Sequence, residues 1–73
     1  MSKFDQHLTL IPSEHREGAV RALEAAVDGN AVIVPGEKVS YIARKGESGG
    51  YDTWEVIVSL YSVRFARPKE ASK

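Results

Sequence analysis

The amino-acid sequence predicts an α+β domain in which one helix packs on a small, mainly antiparallel sheet. Residues 13–28 carry apolar side chains at helical spacing, several shorter segments alternate with a period of two, and no linker divides the 73 residues. The predicted element order is β-α-β-β-β. Residues 1–65 form one domain, and residues 66–73, which contain Pro68 and no apolar pattern, are expected to be a flexible C-terminal tail.

The first predicted elements are a short strand and the helix. Residues 7–11 alternate in a strand pattern, and Pro12 ends that strand because proline has no N–H to donate to a ladder. Ser13 is expected to cap the helix, which runs over residues 13–28 and presents an apolar stripe on one side. Gly29 supplies the left-handed residue that ends it.

Three more strands are predicted after the helix. Residues 31–34 form a continuous apolar run, which predicts a short strand buried on both faces. A turn at residues 35–38 leads to an alternating strand over residues 39–44. The glycine-rich segment 45–52 is expected to be a mobile loop, and it joins this strand to the last one, residues 53–65.

The last predicted strand changes the phase of its alternation partway along. One face carries Trp54, Val56, Val58 and Leu60, and the other carries Tyr61, Val63 and Phe65. A regular strand keeps one face apolar, so a change of phase requires a bend, a break or a second surface to bury against. A straight strand of this length would also exceed the diameter of roughly 30 Å of so small a globule. We therefore expect a long C-terminal strand that bends near Leu60.

Composition restricts the classes of function that this chain can have. There is no cysteine, which excludes disulfides and thiolate metal sites and favours a reducing, cytoplasmic setting. No segment approaches the roughly 20 apolar residues of a membrane span, and the first ten residues lack the apolar core of a signal peptide. The net charge is zero, whereas nucleic-acid binders usually carry a basic excess.

The residues that carry catalytic chemistry do not form a recognisable motif. His7 and His15 are expected to be solvated surface side chains, because two histidines without thiolates do not make a metal site. Asp52 and Glu55 fit an exposed strand better than an acid–base pair. The glycines of segment 45–52 lead into a strand, whereas a phosphate-binding loop opens a helix. The sequence therefore predicts a protein that is not an enzyme and that has no cofactor and no metal.

Surplus apolar surface on the predicted sheet indicates a protein-interaction module. One helix covers only one face of a sheet, yet Ile42 and Ile57 oppose Tyr41 and Val58. We expect the chain to bind another protein, or itself as a homodimer, through the sheet face and the last strand. Small cysteine-free chains of this kind suggest the inhibitors and adaptors of phages and mobile elements. The expected partner-binding residues are Trp54, Tyr61, Val63, Arg64 and Phe65.

Binding of single-stranded nucleic acid is the alternative that the sequence leaves open. Such proteins place aromatic platforms on a sheet and frame them with basic side chains. Residues of both kinds occur in the sheet-forming half of the chain. The alternative site consists of Tyr41, Arg44, Lys45, Tyr51, Arg64 and Arg67.

Overall fold

The computed structural model describes residues 4–69 and confirms the α+β class, with one helix on a four-stranded antiparallel sheet. The strands lie in sequence order, β1-β2-β3-β4, and each pairs with the next. The elements are a 3-10 helix (Asp5–His7), α1 (Ser13–Ala25), β1 (Val32–Pro35), β2 (Ser40–Ser48), β3 (Tyr51–Val58) and β4 (Tyr61–Pro68).

The strand predicted at residues 7–11 is wrong, because this segment contains no strand. The 3-10 helix ends at His7, and Leu8 and Ile11 are both fully buried while Leu10 is 73% exposed. Burial at a spacing of three residues is the pattern of a helical turn, which alternation over five residues does not distinguish from a strand. The Ile11 N–H donates to the Leu8 carbonyl at 3.0 Å and closes that turn.

Helix α1 has a different start from the one that the sequence predicts. Pro12 occupies the N-cap position with φ −54° and ψ 147°, and Ser13 is the first helical residue and makes no side-chain capping bond. Proline suits this boundary because its fixed φ leads into the helix without a lost donor. At the other end, α1 stops at Ala25 and turns follow, and Gly29 has the expected positive φ of 85°.

The expected loop at residues 45–52 is instead a tight hairpin. Strands β2 and β3 continue to Ser48 and Tyr51, and only Gly49 and Gly50 lie between them. Both glycines have positive φ, 55° and 86°, as a type I′ turn requires. Adjacent glycines between two alternating segments are a hairpin signal, so the register of this pair was present in the sequence.

The long bent strand predicted at residues 53–65 is two strands. Strand β3 ends at Val58, a turn at Ser59 and Leu60 reverses the chain, and β4 begins at Tyr61. The change of phase therefore marks a hairpin turn. Ala66 to Pro68, expected in the flexible tail, belong to β4, whereas residues 70–73 of that tail lie outside the described residues.

Helix α1 packs across β1, β2 and β3 on one side of the sheet, and the core lies in this layer. We call this side the covered face. The residues of the sheet that are buried there are Ala43, Trp54, Val56, Val58 and Val63. The helix contributes Ala19, Ala22 and Leu23, and the N-terminal segment contributes Phe4, Leu8 and Ile11.

Strand β1 is an edge strand, which corrects the expectation that residues 31–34 are buried on both faces. Val32 and Val34 are half-buried beneath the helix, whereas Ile33 is 67% exposed on the opposite side of the sheet. A short apolar run has the same composition whether one face or both are buried. The elements packed against the strand decide which of its faces is buried.

Candidate functional site

The side of the sheet opposite α1 is not covered by any element of residues 4–69. The strand register aligns alternate residues of all four strands on this side. We call it the open face. Its residues are Ile33, Pro35, Ser40, Ile42, Arg44, Gly46, Ser48, Tyr51, Thr53, Glu55, Ile57, Ser62, Arg64, Ala66 and Pro68.

Three isoleucines form a continuous apolar row across the open face. Ile33 of β1 is opposite Ile42 of β2, and Ile42 is opposite Ile57 of β3. Ile33 is 67% exposed, and the other two side chains are half-buried by their neighbours alone. Isoleucine in contact with water loses the free energy of burial, about 1.5–3 kcal/mol for a complete side chain. This isoleucine row is therefore a surface that a partner can stabilise by covering it.

A charged row runs beside the isoleucine row. Arg44, Glu55 and Arg64 are opposite one another on β2, β3 and β4. The Arg64 Nε donates to the Glu55 Oε2 at 3.2 Å, and the Arg64 side chain is 81% exposed. An apolar centre with a polar rim that contains arginine is the usual composition of a protein–protein interface.

Small side chains produce a depression on the same side of the sheet. Gly46, Thr53 and Ala66 occupy the next row, and they lack the bulk of the arginines beside them. The depression has a volume of about 530 Å³, and Arg44 and Arg64 are among the residues that line it. Its position gives a protruding side chain of a partner a place to insert beside the row of Arg44, Glu55 and Arg64.

The structure separates the five residues that the sequence predicts for partner binding. Trp54 and Val63 are 5% and 8% exposed and belong to the core, so they do not present a surface in the isolated chain. Phe65 lies on the covered face, half-buried, with its ring stacked on His7 at a centroid distance of 4.2 Å. Tyr61 is 40% exposed at the start of β4, and Arg64 alone lies on the open face.

The residues of the nucleic-acid alternative are divided between the two faces. Arg44, Tyr51 and Arg64 are on the open face. The other three are on the covered side and make contacts there. Tyr41 hydroxyl lies 3.4 Å from His15 Nδ1, Lys45 Nζ lies 3.3 Å from Asp52 Oδ1, and Arg67 lies over the Phe4 ring. These six residues therefore do not form one binding surface.

Both histidines differ from the expectation of solvated side chains. His7 is half-buried against Phe65, and His15 is half-buried beside Tyr41 and lies 3.6 Å from the Glu14 carboxylate. Within residues 4–69 there is no cluster of three or more histidine, cysteine, aspartate or glutamate side chains that could hold a metal ion.

The sequence predicts only part of the open face. The opposition of Ile42 and Ile57 to Tyr41 and Val58 was visible from the alternation of each strand. Ile33 was missed because its segment was expected to be buried on both sides. The pair Gly49 and Gly50 signals the register of β2 with β3, but the position of Ile33 depends on the pairing of β1 with β2, for which the sequence carries no comparable signal.

Comparisons with protein-family models, with curated proteins and with solved structures gave no match for this chain. The geometry of its own residues therefore carries the functional argument. The described helices include none with the length and apolar character needed to cross a membrane.

Proposed function

We propose that this chain is a small protein-interaction module that binds a protein partner through the open face of its sheet. The observation that carries the proposal is the isoleucine row, in which Ile33, Ile42 and Ile57 meet water on three adjacent strands. A sheet with one apolar face beneath a helix is complete as a fold, so apolar side chains on its second face need another explanation.

The surroundings of the isoleucine row support a protein as the ligand. Arg44 and Arg64 border the row, and one carboxylate, Glu55, lies between them and is held by Arg64. The open face therefore has a surplus of one positive charge beside its apolar centre. A complementary partner presents an apolar patch with a carboxylate at its edge, which pairs with an exposed arginine.

In this proposal the module acts by binding and has no catalytic activity of its own. Both histidines are engaged with aromatic rings, His7 with Phe65 and His15 with Tyr41, which supports structural roles for them. A chain of 73 residues that covers a surface on another protein suits an inhibitor or an adaptor. The lack of cysteine suits a reducing compartment such as the cytoplasm.

The experiment is affinity capture from the source cells with matched variants. The wild-type chain is expected to retain a protein that the variant Ile33→Asp with Ile57→Thr does not retain. Threonine keeps the β-branch of isoleucine, and the exposed Ile33 is not part of the core, so the chain that carries both substitutions should fold. The controls are Leu10→Asp and Leu60→Asp, since these side chains are 73% and 95% exposed and lie off the open face.

Two further measurements separate the possible ligands. Light scattering over a range of concentrations measures whether a second copy of the chain occupies the open face, which would make the module a homodimer. A mobility assay at low salt tests single-stranded nucleic acid. The proposal is contradicted if the open-face variant retains the same proteins as the wild-type chain and the same mass in solution.

A further inference from the structure

Among residues 4–69, strand β4 pairs only with β3, so its other edge has no neighbouring strand there. It is the last strand of the sheet, and its eight residues, Tyr61–Pro68, form the longer of the two edge strands. An edge strand has backbone N–H and C=O groups on alternate residues that the sheet does not use.

The register identifies which backbone groups of β4 face outward. Val58 and Tyr61 close the hairpin, so the two exchange hydrogen bonds, and the pattern repeats at every second residue. The Lys69 N–H donates to the Gly50 carbonyl at 3.0 Å, which continues the same alternation to the end of the pair. The odd-numbered residues of β4 therefore bond to β3, and the N–H groups of Ser62, Arg64 and Ala66 point away from the sheet.

The position of Pro68 agrees with this assignment. It is an even-numbered residue, so its nitrogen lies on the outward side, where no sheet hydrogen bond is lost. Proline on an edge strand is restricted to such positions. The outward edge that remains for pairing consists of residues 61–67.

The charge of β4 favours an acidic occupant over a second copy of the same strand. Arg64 and Arg67 are its charged residues and Lys69 follows it, and residues 61–69 include no carboxylate. Glu55 of β3 pairs with Arg64 through its Nε, and Glu47 of β2 pairs with Lys69. Antiparallel pairing of two β4 edges about a twofold axis near the middle of the strand would bring Arg64 opposite or diagonal to its own copy, and like charges on adjacent strands are destabilising. A strand that carries carboxylates would instead pair with these cations.

We infer that the β4 edge receives an extended acidic segment of the partner as a fifth strand. The inference deepens the proposed function and rests on it, since the same partner would cover the open face beside β4. The partner backbone bonds to the outward groups of Ser62, Arg64 and Ala66, and a carboxylate opposite Arg64 pairs with its exposed guanidinium.

The test uses labelled ten-residue peptides of alternating glutamate and valine with blocked ends. Fluorescence anisotropy measures their affinity for the chain. Hydrogen exchange of the bound chain measures the exchange rate of each backbone amide. Binding should slow exchange at the amides of Ser62, Arg64 and Ala66, whereas those of Tyr61, Val63 and Phe65 are already protected by β3. The lysine analogue should not bind, and a glutamate peptide with N-methyl groups on alternate residues should lose at least about tenfold in affinity.

Two protein variants test the edge itself. Ala66→Pro removes one outward N–H without removing a sheet hydrogen bond. It should lower the affinity for the glutamate peptide by about tenfold. The control is Leu60→Ala, which lies in the turn before β4 and off the open face, keeps every outward N–H and should bind as the wild-type chain does. The inference is overturned if the glutamate peptide does not bind, if N-methylation has no effect, or if the protected amides do not alternate along β4. If the captured partner is lost with the Ile33 and Ile57 variant but kept with Ala66→Pro, the edge inference fails and the proposed function stands.

Discussion

The ring of Tyr41 packs directly on the backbone of Gly18, which leaves no room for a side chain at that helix position. A Cβ atom placed on Gly18 would lie 2.3 Å from Cζ and 2.4 Å from Cε2 of Tyr41. On the strand side a Cβ on Gly36 would lie 2.6 Å from the same ring. The ring therefore lies against both glycines, and the helix approaches β2 closely because Gly18 has no side chain.

Gly18→Ala should destabilise the fold, although alanine favours a helix by about 1 kcal/mol over glycine. The added methyl group overlaps the far end of the Tyr41 ring, and because the ring also lies against Gly36, displacing it disturbs both contacts. Overpacking of this kind costs about 1–3 kcal/mol. Urea denaturation should show a lower midpoint with an unchanged slope.

The control for Gly18→Ala is the same change in a chain that lacks the ring. In the background Tyr41→Ala, the substitution at Gly18 should stabilise the protein, because only the helix propensity of alanine remains. If Gly18→Ala changes the free energy of unfolding by the same amount in the wild-type and Tyr41→Ala backgrounds, the close contact is disproved.

Trp54→Ala should remove most of the stability of the domain. Trp54 is 5% exposed, and the Phe4 ring meets it edge-on at a centroid distance of 5.0 Å. Loss of a buried tryptophan costs about 3–5 kcal/mol, which is a large part of the stability of a small domain. Leu60→Ala is the control, since this side chain is 95% exposed in a turn and its loss should cost less than about 0.5 kcal/mol. Thermal unfolding followed by circular dichroism distinguishes the two, and equal melting temperatures would contradict the position of Trp54.

Ser59→Val should destabilise the hairpin between β3 and β4. Ser59 has a positive φ of 54°, and it is the first of the two turn residues. A β-branched residue is strained in this region, so we expect a loss of about 1–2 kcal/mol. Ser59→Gly is the matched variant, because glycine adopts this φ freely, and it should be at least as stable as the wild-type chain. Equal stability of the valine and glycine variants would contradict the positive φ.

Arg16 anchors the N-terminal segment to the helix. Its Nη2 donates to the Ile11 carbonyl at 2.8 Å and its Nε donates to the Leu8 carbonyl at 3.2 Å. Arg16→Met keeps the apolar stem and removes both donors, so it should cost about 1.5–3 kcal/mol. The amide of Ile11 should then exchange faster in hydrogen-exchange measurements. Arg21→Met is the control, since Arg21 is exposed and pairs only with Glu17 among the contacts of residues 4–69. Unchanged exchange at Ile11 in Arg16→Met would contradict the anchoring role.

The sequence predicts the helix and the fold class well because both follow from long-range periodicity. Thirteen residues of α1 repeat their apolar positions often enough to exclude a strand. Five residues are too few for this, which is why segment 7–11 was assigned to a strand. The change of phase locates the break at Leu60, but alternation alone does not distinguish a bend from the hairpin turn at Ser59 and Leu60, because it does not record the direction of the chain after the break.

The candidate site was harder to predict than the fold because it depends on which face the helix covers. Trp54 and Val63 share a face with Val56, and large apolar side chains look the same in a sequence whether they fill a core or a binding surface. Only the register shows that they lie beneath the helix. The register also shows that Ile33 and Ile57 lie on the opposite side, joined through Ile42.

Solvent accessibility of the isoleucine methyl groups tests the open face most directly. The chain has four isoleucines, of which Ile11 is fully buried and Ile33, Ile42 and Ile57 form the isoleucine row. In the free chain labelled at isoleucine methyl groups, a soluble paramagnetic probe should relax these three faster than Ile11. Binding of the captured partner, or dimerisation, should remove that difference. A bound state in which the three methyl groups remain as accessible to the probe as in the free chain would contradict the account.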